Sequence, residues 1–65
     1  MLPEGMTDMD VEVLRILNGE ELPNWSWGAA MAVCCSYLKG KGYAQELYEI
    51  SPKGRQLLKD LGYAS

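Results

Sequence analysis

The residues of this chain with the clearest capacity for chemistry are cations gathered toward its C-terminal end: Lys39, Lys41, Lys53 and Arg55, with Lys59 beyond them. Ammonium and guanidinium groups recognise phosphate, lysine as a compact point charge and arginine as a planar fork. Residues 39–65 set these five bases against Glu46, Glu49 and Asp60, a net +2. Residues 1–38 set Glu4, Asp8, Asp10, Glu12, Glu20 and Glu21 against Arg15 alone, a net −5, and the two segments together give the chain its −3. A chain divided in this way can present its basic half to an anionic partner while its acidic half faces water. A simply solvated surface is the alternative.

Other chemistries find less support. Cys34 and Cys35 are adjacent, and neighbours on a helix point about 100° apart, so bridging them would strain the ring. With no histidine in the chain, a zinc site lacks ligands in any usual spacing. The two cysteines read as small apolar core residues in a reducing cytoplasm, with a thiol-reactive role as the alternative. Gly40-Lys41-Gly42 lies at a helix end, the wrong polarity for holding a phosphate on a helix dipole. Glu20-Glu21 falls in a loop without a pocket partner. Sixty-five residues make one small domain with little room for both a core and a substrate cavity. The expectation is therefore no enzyme, no catalytic residue, no metal and no cofactor. The apolar run from Gly28 to Cys35 is too short for a bilayer, and the N-terminus lacks the pattern of a secretory signal. A soluble, cytoplasmic protein without a membrane partner or an evident small-molecule substrate is expected.

In chain order, residues 1–6 read as a flexible lead-in, packed by Leu2 or Met6, and 7–65 as a single domain. Thr7 or Asp8 caps a first helix whose inward face is Val13, Leu14 and Leu17, joined by Met9 or Asp10 and bordered by Ile16, and which Asn18-Gly19 closes. Pro23 and Asn24 break any helix in the stretch GEELPNWSW, so Leu22, Trp25 and Trp27 fold back as a plug, with Ser26 or Asn24 capping the next helix. That helix is long, from about Trp27 to Lys41; it buries Met31, Cys34 and Leu38, and Gly40 and Gly42 stop it. Tyr43-Ala44 opens a strand, Gln45-Glu46 turns, and Leu47 to Ile50 returns. Ser51 caps a last helix with Pro52 at its first position, Leu57, Leu58 and Leu61 inward, and Gly62 at its end.

The ordered run of Leu38, Gly42-Tyr43, then Tyr48-x-Ile50-Ser51-Pro52-Lys53-Gly54 resembles the winged helix-turn-helix domains of MarR- and PadR-type transcriptional regulators. The fold this implies is α+β and mainly helical: a helix, a reduced middle turn where those regulators have a whole helix, a long helix, a two-stranded hairpin and a C-terminal helix. The function it implies is transcription regulation by a small dimeric protein, of bacterial or phage type, that binds double-stranded DNA mainly through the phosphate backbone. Lys39, Lys41, Lys53 and Arg55 would be its phosphate ligands. The outer face of the long helix holds none of the arginine, asparagine or glutamine that matches base edges, and Gln45-Glu46 at the expected wing tip is not basic. The alternative is a winged-helix protein-interaction or dimerisation module without DNA binding, its interface formed by Trp25, Ala29, Ala32, Val33, Ser36 and Gly40.

Overall fold

The structure is a computed structural model and describes residues 2–26 and 28–63. Its elements are α1 (Asp8–Leu17), α2 (Ala29–Gly40), β1 (Ala44–Glu46), β2 (Glu49–Ile50) and α3 (Pro52–Asp60). This is the α+β, mainly helical, winged-helix layout expected from the sequence. The described residues between α1 and α2 form turns only, so the middle helix is indeed reduced.

Local chemistry explains where each helix begins. Thr7 caps α1: its Oγ1 accepts from the Asp10 amide at 3.4 Å, and its own amide donates to Asp10 Oδ2 at 2.9 Å. This reciprocal capping box satisfies two amides that the helix cannot. Replacing Thr7 with Ala is expected to cost about 1 kcal/mol, read as a lower denaturant midpoint at unchanged slope. Ser51 does more at α3. Its Oγ accepts from the Gly54 amide at 3.2 Å and donates to the Gly42 carbonyl at 2.6 Å, while its own amide donates to Tyr43 O at 3.1 Å. One buried serine thus caps α3 and ties it to the turn that ends α2.

α2 begins differently from expectation. Gly28, extended at φ −168°, is its N-cap and supplies no side-chain hydrogen bond. Neither Ser26 nor Asn24 is the cap, since Gly28 occupies that position two residues after Ser26 and four after Asn24. Trp27, expected in the first turn, lies outside the described residues. Nor does Gly40 stop the helix; it is the last helical residue, with Lys41 as C-cap. Gly42 takes φ +86°, its amide donates to Lys39 O and that of Tyr43 to Leu38 O. This paired closure needs a left-handed residue after the cap, and the same two-bond pattern recurs at Gly19 after α1 and at Gly62 after α3.

The hairpin corrects the expected turn. Glu46 pairs with Glu49 and Ala44 with Ile50, an antiparallel register that leaves Gln45 as a one-residue bulge. The reversal falls on Leu47 and Tyr48, not on Gln45-Glu46. Ala44 and Ile50 are both buried, and pairing them fixes the register. A reversal two residues earlier would withdraw Ile50 from Ala44. Tyr48 takes the left-handed conformation, φ +63°, that the tight turn requires.

Leu14, Met31, Leu38, Leu58, Val13 and Cys35 are fully buried and form the centre of the core. On α1 the buried face is Asp10, Val11, Val13 and Leu14, with Ile16 and Leu17 half-buried; Met9, offered as an alternative to Asp10, is exposed. The lead-in joins the core through Met6, whose amide donates to Pro3 O at 3.0 Å.

Candidate nucleic-acid interface

Lys53 reaches the backbone of the α2 end, at Lys41, where the hairpin begins. The closure at Gly42 folds the chain back on α2, and Ser51 then fixes the start of α3 against the same turn. Lys53 Nζ consequently donates to the Lys41 carbonyl at 2.9 Å and lies 4.6 Å from the centre of the Tyr43 ring. A cation at the C-terminal end of a helix offsets its dipole, and the ring holds the ammonium by a cation–π contact. The Lys39 and Lys41 side chains leave the last turn of α2 and its cap, both exposed.

Two features qualify this basic corner. Lys39 Nζ lies 3.4 Å from Glu46 Oε2, with the side chains 52% and 70% exposed. An exposed pair of this kind is worth about 0–1 kcal/mol, so a phosphate can take Lys39 from Glu46 at small cost. Arg55 stands apart from the corner. Two residues along a helix turn about 200°, and because Gly54 between them is buried against Ile50 and Leu14, Lys53 and Arg55 leave α3 on opposite flanks. Of the four expected phosphate ligands, Lys53 is brought against the backbone of Lys41 and Arg55 leaves on the other flank; Lys39 and Lys41, themselves two residues apart, share only their place at the end of α2.

The outer face of α2 is open. Ala29, Val33, Ser36 and Gly40 are exposed, Val33 at 69%, and Ala32 is half-buried. Trp25, grouped with them in the alternative interface, belongs elsewhere: it is half-buried against the core, and its Nε1 donates to Glu12 Oε1 at 2.5 Å. The apolar exposure at the hairpin tip has no sequence signal under the expected turn. With the reversal at Leu47 and Tyr48, those side chains are 49% and 40% exposed between Glu46 and Glu49.

The thiols lie beneath this face. Burial, then a hydrogen bond to Asp10 and its charge, push Cys34 up to about 11. Burial raises Cys35 as well, partly opposed by a backbone hydrogen bond from Tyr48. A raised thiol is protonated in the folded chain and ionises first in the unfolded one. Stability is therefore full below the ordinary value and is lost as pH climbs toward about 11. Because the thiolate is the nucleophile, both cysteines are expected to resist an aromatic disulfide reagent at pH 8 in the native protein and to react fully in denaturant.

Among the described residues no group of three potential ligands could hold a metal ion, and no helix is long and apolar enough to cross a membrane. Compared with protein-family models, curated proteins and solved structures, the chain gives no match.

Proposed function

We propose that this chain is a small winged-helix DNA-binding protein, a cytoplasmic, non-enzymatic regulator of the MarR/PadR type, that docks on duplex DNA through the phosphate backbone. The observation that carries the reading is that Lys53 is held on the Lys41 carbonyl at the end of α2, where Lys39 and Lys41 are exposed next to the open face of that helix. Alanine, serine and glycine on that face allow a phosphate backbone to come close, and it carries none of the arginine, asparagine or glutamine that pairs bidentately with a base edge. Binding of this kind is electrostatic and weakly selective for sequence. Three neutralised phosphates give a slope of about −2.7 in log affinity against log salt, or roughly fortyfold weaker binding across a fourfold rise in salt. Fluorescence anisotropy with mixed-sequence duplexes tests this. Converting Lys41 and Lys53 to Gln together is expected to flatten the slope by about 2, whereas Arg55→Gln, on the far flank of α3, changes it little.

A second reading, dimerisation without DNA binding, is favoured by one observation: Val33 is 69% exposed on a helix face lined by Ala29, Ala32, Ser36 and Gly40. Two copies packed through α2 would bury it. A dimeric mass in solution that Val33→Asp converts to monomer, with no duplex binding at low salt, would select this reading over the first.

A further inference from the structure

We propose that the groove between the end of α1 and the turn at residues 19–25 is a binding site for a small organic cation with an apolar body. The groove measures about 480 Å³, and Ile16, Leu22, Pro23, Trp25 and Met31 supply its apolar walls. Its size falls within the roughly 300–1,000 Å³ of small-ligand sites. It lies apart from the basic corner, since none of Lys39, Lys41 and Lys53 lines it. This inference does not depend on DNA binding.

Charge selects the class of ligand. The charged groups lining the groove are Glu20 and Glu21. Arg15 engages both oxygens of Glu20, Nε to Oε2 at 2.8 Å and Nη2 to Oε1 at 2.6 Å. Glu21 has no ion pair among the described residues and is exposed. An incoming ammonium therefore meets Glu21 as its counter-charge while its hydrocarbon part replaces water on Ile16 and Leu22. Trp25 adds to this preference. Its indole N–H is held by the Glu12 carboxylate, which enriches the ring in electron density, and an electron-rich indole face attracts cations. An anionic ligand of the same shape meets carboxylates with no free cation lining the site.

The test uses the whole protein, isotopically labelled, with hexylammonium as probe and hexanol and hexanoate as its neutral and anionic counterparts. The Trp25 indole N–H resonance is followed by NMR. Hexylammonium is expected to shift it saturably in the millimolar range, with hexanol and hexanoate several-fold weaker. Glu21→Gln should weaken hexylammonium about threefold to fivefold, as for a solvent-exposed ion pair. Glu49→Gln, on the hairpin, should leave it unchanged. Equal binding of hexanol would reduce the site to a plain apolar groove and overturn the proposal. So would an equal loss from Glu49→Gln, which would mark diffuse charge attraction, and so would no saturation by hexylammonium.

Discussion

Replacing Gly54 with Ala is expected to remove much of the stability of the domain. A Cβ at this position would overlap the Tyr43 carbonyl oxygen and stand 2.8 Å from Ile50 Cγ1 and 3.1 Å from Leu14 Cδ1. The first of these is backbone. It cannot rotate aside, because Tyr43 O already accepts from the Ser51 amide and the adjoining turn is held by Ser51 Oγ. In an open helix the same change stabilises by up to about 1 kcal/mol. Here overpacking of about 1–3 kcal/mol or more acts against a total that in so small a domain is about 3–5 kcal/mol. Gly40→Ala is the internal control, since a Cβ there meets nothing within 4 Å and the residue is helical. Circular dichroism melts should show the melting temperature falling for Gly54→Ala and holding or rising for Gly40→Ala. Equal, small effects at both positions would contradict the packing of α3 on the hairpin.

The second large effect is expected for Leu14→Ala. Leu14 is fully buried, within the core that α1 forms with α2 and α3, and its Cδ1 reaches the surface of Gly54. Truncation removes the transfer energy of three carbons and leaves a cavity, about 2–5 kcal/mol in all, which again approaches the whole stability. The double variant Leu14→Ala, Gly54→Ala separates the two causes. Truncating Leu14 clears only the most distant of the three atoms that crowd residue 54, so the double variant should be no more stable than Leu14→Ala alone. Recovery in the double variant would mean that the side chain, not the Tyr43 carbonyl, sets the limit at Gly54.

How much of the fold is legible in the sequence depends on how local each cause is. Thr7 and Ser51-Pro52 start helices, and Gly19, Gly42 and Gly62 close them, through bonds spanning six residues or fewer. Those limits are visible in the residue types alone, as is the apolar spacing of Met31, Cys34 and Leu38. The hairpin turn is not. Leu47-Tyr48 carries no Asn-Gly or Gly signal, and burial of Ala44 opposite Ile50 decides the register. The start of α2 is hidden as well, because Gly28 rather than a polar side chain occupies its N-cap. At the basic corner, charge alone nominates Lys39, Lys41 and Lys53, but the contact of Lys53 with the Lys41 carbonyl depends on the α2 closure and the Ser51 bridge. The displacement of Arg55 from Lys53 is legible in the helical period. The contact of Glu46 with Lys39 is not, since it needs the chain reversal between them.

Gly54 joins the packing of the domain to its proposed interface. It stands in the Ser51-Pro52-Lys53-Gly54 run that underlies the resemblance to winged-helix regulators, and its lack of a side chain lets α3 sit close enough for Lys53 to reach Lys41. The proposed interface thus rests on a packing requirement as well as on charge. The measurement that tests it most directly is anisotropy of mixed-sequence duplex DNA titrated with the pure protein at low and at physiological salt, with its mass in solution determined alongside. The expected result is binding at low salt that weakens steeply as salt rises, with the dependence reduced when Lys41 and Lys53 are neutralised. Absence of binding at low salt, or binding indifferent to those two lysines, would contradict it.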